Sequence, residues 1–407
     1  MNNPLDHGEG FDWDPRSEDV VRHQVAALDA LRERCPVAHS ERLGWSPLRH
    51  ADVLALLHRP EVFSSHVSTH VAIPNGMDGA EHARYRAVVD RCFTVERVAQ
   101  FEPELRRIAE VLIAELRKGP PPADVMSSLG LPFAALAQCG YLGWPAEVAD
   151  ALRVWAADSE QATRAGDRAE LDRVAAAFDR IIVAELDRAR TEVAEDPAGL
   201  GPPARTLTHD LLAERVDGRP LTDAELVSIV RNWTAGELGT IAAAVGIVVE
   251  FVARNPEVQE LLRAQADLRQ TAMDEMLRLE PPLVANRRRP TRDVEVSGRQ
   301  VPADARVTVL WPPVQRDPAV FPEPTEFRLD RDPADNLLYG RGPHYCPGEG
   351  LSRLELGVFL DVLLGALPPF RLAGDPVRAN YPAGGFVEVR IDWSPPEAAP
   401  SGTSPAR

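Results

Sequence analysis

Helical periodicity dominates the first two thirds of the chain. Apolar residues recur three and four positions apart, as on one face of an amphipathic helix, in residues 17–34, 95–117, 146–163 and 168–193. A longer helix is expected over 221–254, where Asn255-Pro256 breaks it. Another helix should end at Leu279, because Pro281-Pro282 cannot continue it. These patterns predict a mainly α fold.

The pattern changes after that point. Residues 293–311 alternate between apolar and polar, with turn residues at Ser297-Gly298, which predicts short strands. A second alternating segment covers 386–393. Helix-rich parts are therefore expected at 1–280 and 340–368, and sheet-rich parts near 40–70, 290–340 and 370–393. Residues 394–407 are rich in Pro, Ser and Ala, which predicts a disordered tail.

Charge and cysteine usage exclude several classes of protein. The 407 residues carry 45 Lys and Arg against 62 Asp and Glu, a net charge of −17, which argues against binding nucleic acid or anionic lipid. The longest uncharged apolar stretch, 238–249, is shorter than the roughly 20 residues of a membrane span. No secretory signal and no CxxC motif occur in the sequence. We expect a cytoplasmic protein without a disulfide framework.

The segment with the most chemical information is Tyr339-Gly-Arg-Gly-Pro-His-Tyr-Cys346-Pro-Gly-Glu-Gly-Leu-Ser-Arg353. Its glycines allow the backbone to approach a bulky flat ligand closely. Cys346 comes just before an apolar helix, and a helix N-terminus stabilises a thiolate. The spacing excludes the phosphate-binding GxGxxG and GxxxxGK[ST] loops. A zinc site would need a second ligand pair, which is not nearby.

This loop resembles the haem-binding signature of cytochrome P450, Phe-Gly-x-Gly-x-His-x-Cys-x-Gly followed by Leu-Ala-Arg. Here Tyr339 replaces the Phe and Ser352 the Ala. The resemblance implies haem b (iron protoporphyrin IX) with Cys346 as its axial thiolate and metal ligand, and His344 near a haem propionate. It also implies one haem-thiolate domain over 1–393, mainly α with a small β part, with a long central helix over the haem and the cysteine loop below.

Two further motifs fit the same family. In residues 77–86, His82 and Arg86 lie four apart on a predicted helix and share a face; by resemblance this pair grips a haem propionate. Arg288, within Arg287-Arg-Arg-Pro, aligns with another propionate arginine, although its two arginine neighbours allow a shift of one position.

Glu275 and Arg278 match the family's buried structural ion pair, about seventy residues before the cysteine. Alone, such a pair would normally be a solvated contact on a helix surface. The family often adds a third arginine where Glu326 stands in this sequence. Arg328 is close enough to serve as that third partner.

The long helix carries Trp233-Thr-Ala-Gly-Glu-Leu-Gly-Thr240, where the family usually shows Ala-Gly-x-acid-Thr-Thr. Matching the Ala-Gly puts Leu238 at the acid and Gly239 at the threonine. Counting back from Asn255 puts Gly239 at the acid and Thr240 at the threonine, which keeps a hydroxyl. Thr240, with water and Glu237, is therefore expected to carry protons to the oxygen. The alternative is a Thr240 hydroxyl that only bonds to its own helix.

The resemblance implies a soluble bacterial-type monooxygenase of secondary metabolism that activates O2 and hydroxylates a small, largely apolar substrate. Electrons would come from a ferredoxin and its reductase, docked near arginines such as Arg84, Arg91, Arg341 and Arg353. Because the acid of the oxygen-activating helix is displaced, peroxide-driven oxidation and oxidative coupling or rearrangement remain alternatives. A non-catalytic haem-binding partner protein is a rival from another class.

Overall fold

The computed structural model describes residues 12–68, 70–195, 205–381 and 383–395. Most of the tail predicted to be disordered, 396–407, lies outside this range. The helices within it are α1 Glu18–Arg22, α2 Gln24–Arg34, α3 His50–Leu57, α4 Gly79–Cys92, α5 Val95–Lys118, α6 Leu131–Leu142, α7 Val148–Ala165, α8 Arg168–Glu195, α9 Leu207–Ala213, α10 Asp223–Arg254, α11 Pro256–Ala264, α12 Arg269–Leu279, α13 Trp311–Val314 and α14 Glu349–Ala366.

The strands are β1 Val37–Ser40, β2 Gly44–Pro47, β3 Phe63–Ser64, β4 Ala123–Asp124, β5 Arg215–Val216, β6 Arg219–Pro220, β7 Ala285–Pro290, β8 Val294–Val296, β9 Arg299–Val301, β10 Val307–Leu310, β11 Arg371–Leu372, β12 Val377–Arg378, β13 Phe386–Glu388 and β14 Arg390–Asp392. A five-stranded sheet has the order β1-β2-β10-β7-β3, and only its β2–β10 pair is parallel. A smaller sheet has the order β11-β14-β4. The architecture is mainly α with a small β part, as the sequence predicted.

The central helix α10 begins with a capping box. The Thr222 hydroxyl accepts from the Glu225 amide, and the Glu225 carboxylate accepts from the Thr222 amide at 2.7 Å. The helix ends at Asn255 because Pro256 starts α11. By length and apolar composition α10 could cross a membrane, but 72% of its most apolar window is buried inside the protein. It is the core helix on which the site is built.

Two helices packed around α10 position the candidate site. α6 lies against α10, and α14 lies against both α10 and the long helix α5. Their apolar side chains join one large core, which includes Phe133, Val245 and Phe359. The predicted helix 17–34 is divided into α1 and α2 around His23. The long helices predicted from 95, 146, 168 and 221 onward are present, each within two residues at the start.

Candidate functional site

The backbone of the cysteine loop adopts conformations that favour glycine. Gly340 and Gly342 both have a φ of +73°, a region that residues with a Cβ rarely adopt. A Cβ on Gly342 would lie 2.4 Å from the carbonyl oxygen of Leu57, so the loop packs directly on α3. The Cys346 amide donates to the Tyr339 carbonyl at 2.9 Å and closes the loop. This fold places the thiol at the N-terminal end of α14.

The environment of Cys346 favours the neutral, protonated thiol over the thiolate unless a cation is bound to the sulfur. Burial raises its pKa to about 11, against the opposing effect of a hydrogen bond from the Gly348 backbone. A metal ion that coordinates a thiol deprotonates it. The loop is covered by Phe93, whose ring would lie 3.4 Å from a Cβ on Gly348 and whose centroid is 4.3 Å from that of Trp233.

Four basic residues that the sequence singled out converge beside this loop. His82 and Arg86 lie on α4, Arg288 on β7 and His344 in the loop. The rings of His82 and His344 have centroids 4.1 Å apart. Arg86 donates to the Pro343 carbonyl at 3.1 Å. The structure therefore brings together side chains from three separate parts of the sequence.

The electrostatics of this group are set by two guanidinium groups and by two imidazoles whose lowered pKa values leave them neutral near pH 7. The pKa of His344 is lowered to about 4, mainly by burial and then by the neighbouring charges of His82 and Arg288. Burial also lowers the pKa of Arg288, whose guanidinium bonds to the Arg287 carbonyl and to no carboxylate among the described residues. The nearby carboxylates are Asp78, 3.8 Å from the His344 ring, and Asp90, which pairs with Arg86 at 2.6 Å. Such a cradle fits an anionic group with two carboxylates, which is what the haem propionates supply.

One face of the central helix borders open space. Ala235, Gly236 and Gly239 are exposed, and a Cβ on either glycine would meet nothing within 4 Å. Thr240 lies half-buried at the edge of this face, and its hydroxyl donates to the Gly236 carbonyl at 2.6 Å. This bond to its own helix is the alternative left open for Thr240. This face of α10 therefore has room for a bound ligand.

Glu237 does not point toward that face. It is 9% exposed, accepts a hydrogen bond from the Trp233 indole at 2.8 Å, and contacts Glu355 of α14. Burial raises its pKa to about 7. Glu355 was not predicted as a site residue, although an acid in the middle of the apolar helix α14 is a signal that the sequence offers. The structure thus places Thr240 and Glu237 on neighbouring faces of α10, with only Thr240 at the open space.

The structural ion pair is also present and has a different third partner. Arg278 donates to Glu275 through Nε at 2.6 Å and Nη2 at 2.8 Å, and both residues are buried. The third partner is Arg331, whose Nε donates at 2.9 Å. The expectation for Arg328 is wrong for its side chain, which pairs with Asp330 and Glu323; only its backbone amide reaches Glu275, at 3.1 Å.

The four arginines considered for partner docking differ in their pairing. Arg84 lies 3.5 Å from Asp217. Arg91 pairs with Glu214, and Arg353 with Asp274 and Glu349. Arg341 bonds only to backbone carbonyls among the described residues, those of Gly340 and Ala334. It is therefore the member of this set whose charge is not neutralised by a neighbouring acid.

Comparisons with known proteins agree with this geometry. A family model described as Cytochrome P450 matches residues 166–367. Nocardicin C N-oxygenase of Nocardia uniformis subsp. tsuyamanensis is 31% identical over 386 residues, which cover 90% of this chain and 93% of that protein. Cytochrome P450 105A3 of Streptomyces carbophilus is 30% identical over 392 residues, covering 94% of this chain and 88% of that protein.

Solved structures extend the likeness to three dimensions. Cytochrome P450 CYP109Q5 from Chondromyces apiculatus superposes with a TM-score of 0.82 at 25% identity, covering 93% of this chain and 97% of that one. Epothilone D-bound cytochrome P450epoK also gives a TM-score of 0.82 at 25% identity, with 95% and 100% covered.

Proposed function

The chain belongs to the cytochrome P450 family, and we propose that Cys346 is the axial thiolate ligand of a haem b held between α10 and the cysteine loop. The chain is a monooxygenase, since relatives that it matches over more than three quarters of their length are named as an oxygenase, a hydroxylase and an epoxidase. The observation that carries the assignment of the ligand is the position of Cys346. It lies in a glycine-built loop at the start of α14, close enough to α10 to sense the charge of Glu237.

The fit of the site to haem rests on charge as well as on space. His82, Arg86, Arg288 and His344 would hold the propionates, because they lie together beside the cysteine loop and the Arg288 guanidinium has no carboxylate partner among the described residues. When bound, haem with a thiolate ligand activates dioxygen and favours O–O cleavage, so that one oxygen atom is inserted into the substrate. The protein supplies the ligand, the propionate contacts and the proton donors. We assign residues 1–393 to one haem-thiolate domain.

The protons that dioxygen activation requires are delivered by this chain's own polar groups. Thr240 has the hydroxyl nearest the open face of α10, and Glu237 is the neighbouring acid with a pKa raised toward neutrality. A pKa near the working pH suits a group that must both give and regain a proton. In this proposal, Thr240 orients water at the open face and Glu237 is the acid behind it.

The substrate is a small, largely apolar organic molecule. Relatives are named for nocardicin C, pentalenic acid and epothilones C and D, which are products of secondary metabolism. In this chain, Val71 and Leu283 expose apolar side chains. Val71 is tied to α10, because its carbonyl accepts from the Ser228 hydroxyl at 2.9 Å. Hydroxylation is the reaction that we assign to this site.

Electrons come from a separate protein, a ferredoxin reduced by its reductase. A ferredoxin is acidic, and Arg341 offers an unneutralised cation on the cysteine loop itself. The large negative net charge of −17 disfavours nucleic acid and anionic membrane surfaces as partners. We place the enzyme in the cytoplasm.

The experiment that tests this function is the carbon monoxide difference spectrum of the dithionite-reduced protein. We expect the strongly red-shifted Soret band of a haem-thiolate protein in the wild type and in Cys92→Ala, a control at another buried free cysteine. Cys346→Ala should lose it. A band at the position of histidine-ligated haem in the wild type would contradict the ligand assignment.

Turnover then separates the possible reactions. Product formed with ferredoxin, its reductase and NADPH supports monooxygenation. Product formed only with added peroxide favours the peroxide-driven alternative. That alternative applies to this chain because the acid on α10 is displaced from its usual place in the family. Substrate binding without product under full electron supply favours a non-catalytic haem protein.

A further inference from the structure

A group of four aromatic rings, which we call the aromatic cluster, lies beside the cysteine loop. Its members come from four parts of the chain: Phe93 follows α4, Phe101 lies on α5, Tyr141 on α6 and Trp233 on α10. The centroid of the Trp233 ring is 4.3 Å from that of Phe93 and 5.8 Å from that of Tyr141. The centroids of Tyr141 and Phe101 are 5.1 Å apart. Such contacts stabilise a protein core, so a further role needs further evidence.

One edge of the aromatic cluster lies next to the proposed iron ligand. A Cβ on Gly348 would be 3.4 Å from the Phe93 ring and 3.9 Å from the Cys346 sulfur, so the ring and the sulfur flank the same glycine. Phe93 is in turn in ring contact with Trp233. Closely spaced groups offer a path for an electron, because the rate of transfer falls steeply as the gaps between donor and acceptor widen. Such a path leads from Trp233 through Phe93 to the sulfur.

The rings of the aromatic cluster differ in how easily they lose an electron. Indole and phenol can be oxidised by a strongly oxidising haem, whereas the phenyl rings of Phe93 and Phe101 resist it. The oxidisable members are therefore Trp233 and Tyr141. Loss of an electron makes the indole N–H and the phenol O–H strongly acidic. Oxidation is consequently easier for the ring whose proton can pass to a base nearby.

The hydroxyl of Tyr141 is bonded to a group that is not a base. It donates to the backbone carbonyl of Cys92 at 2.8 Å, and a carbonyl oxygen accepts the hydrogen bond without taking the proton away. Burial raises the pKa of Tyr141 far above neutrality. The phenol is therefore held in its protonated, reduced form.

The indole of Trp233 is bonded to a carboxylic acid. Its Nε1 donates to Oε2 of Glu237 at 2.8 Å. The buried indole of Trp144, by contrast, donates to the neutral hydroxyl of Thr208 at 3.0 Å. Trp233 is thus the oxidisable ring of the aromatic cluster that has both a proton acceptor and the contact with Phe93 that leads to the sulfur.

Neighbouring side chains hold Glu237 against this indole. With the Gln138 amide oriented so that its nitrogen faces Glu237, that nitrogen donates to Oε1 at 2.8 Å, and the amide oxygen accepts from the Thr234 hydroxyl at 2.9 Å. Gln138 and Thr234 are fully buried. The carboxyl group is therefore fixed in the position that receives the indole proton.

We propose that Trp233 is an oxidisable site that protects the haem and its ligand when dioxygen or peroxide oxidises the haem with no substrate in place. This rests on the proposed function. One electron passes from the indole through Phe93 and Cys346 to the oxidised haem, the indole N–H bond breaks, and an O–H bond forms on Glu237. A later electron from reduced ferredoxin restores the indole, and Glu237 returns the proton.

The open face of α10 gives this chain a use for such a site. A Cβ on Gly236 or Gly239 would meet nothing within 4 Å, so small oxidants have room beside the helix when no substrate fills it. The oxidised haem then has no substrate C–H bond to react with. An indole that supplies an electron spares the sulfur and the haem from being oxidised instead.

The first test detects the oxidised indole directly. Ferric, haem-loaded protein without substrate is mixed with hydrogen peroxide, frozen rapidly and examined by electron paramagnetic resonance, with ring-deuterated tryptophan incorporated to identify the signal. We expect a neutral tryptophanyl radical in the wild type and in the control Trp144→Phe, and its loss in Trp233→Phe. Glu237→Gln removes the proton acceptor and should also lose the neutral radical. An unchanged signal in Trp233→Phe or in Glu237→Gln, or no such radical in the wild type, would overturn the proposal.

The second test uses the wild type and so does not depend on how a variant folds. After repeated exposure to peroxide without substrate, peptide mass spectrometry should find added oxygen on Trp233 before Trp144. Oxidation of Trp144 first, or an unmodified Trp233, would contradict the proposal. Failure of the proposed function is distinguishable. A wild type that lacks the thiolate spectrum contradicts that function, whereas one that has the spectrum but forms no radical on Trp233 contradicts this inference alone.

Discussion

The Nε atom of Arg331 donates a hydrogen bond to Oε1 of Glu275 at 2.9 Å. Arg331 also donates to the carbonyls of Pro322 and Glu323, each at 2.8 Å. It therefore ties the irregular segment before the cysteine loop to α12. Glu275 receives Arg278 as well, so one buried carboxylate holds two guanidinium groups.

Replacing Arg331 should destabilise the protein far more than replacing Arg328. Arg331→Ala removes one partner of a buried pair, for which we expect a loss of about 3 kcal/mol in the free energy of unfolding. Arg328→Ala removes exposed pairs only, each worth less than about 1 kcal/mol. Urea unfolding of both variants measures the difference. Equal losses would show that the pairing of Arg331 with Glu275 adds no stability.

The cationic cradle should control how tightly haem is held. Arg288→Ala removes a guanidinium that has no carboxylate partner among the described residues. Loss of a charge-assisted hydrogen bond worth roughly 1.5–3 kcal/mol should speed haem release by about 10- to 100-fold. His82→Ala should act in the same direction. Arg84→Ala is the control, since Arg84 lies on α4 with His82 but pairs with Asp217 at the surface. Transfer of haem to an acceptor protein measures the rate of haem release. An unchanged rate for Arg288→Ala would show that Arg288 does not hold the haem.

The cysteine loop should not tolerate a side chain at Gly342. Its φ of +73° costs an L-residue roughly 1–2 kcal/mol, and a Cβ would clash with the Leu57 carbonyl at 2.4 Å. Gly342→Ala should therefore lower the thermal midpoint and the haem content together. Gly365→Ala, in α14 with nothing near its Cβ, should gain about 0.5–1 kcal/mol from helix propensity. Full haem content in Gly342→Ala would contradict the rigid packing of the loop on α3.

The hydroxyl of Thr240 should matter for coupling more than for folding. Thr240→Ala removes it, and we expect electrons to be diverted to hydrogen peroxide, with coupling reduced at least about tenfold. Thr240→Ser keeps a hydroxyl that can reach the Gly236 carbonyl and should stay near the wild type. Peroxide release per NADPH checks both variants. If the hydroxyl serves only its own helix, as its 2.6 Å bond to Gly236 allows, the alanine variant will couple normally.

Several parts of the fold could be predicted because they follow from local pattern. The periodicity over 95–117 corresponds to Val95–Lys118, and that over 221–254 to Asp223–Arg254. The alternation after residue 293 corresponds to β8, β9 and β10. The helix α6 was not predicted, because it is apolar nearly all round and has no polar face to set a period.

The sequence by itself determined the family, and it predicted the cysteine and the basic residues of the site, because each lies in a motif read over a few adjacent positions. Only the tertiary structure decided which groups meet across distant segments. It paired Glu275 with Arg331 instead of the Arg328 side chain, and it turned Glu237 from the open face of α10 toward Glu355, 118 positions later in the chain. A one-residue step turns a helical side chain by about 100°, so the direction of Glu237 depends on the packing of α6, α10 and α14 together, which no local pattern contains.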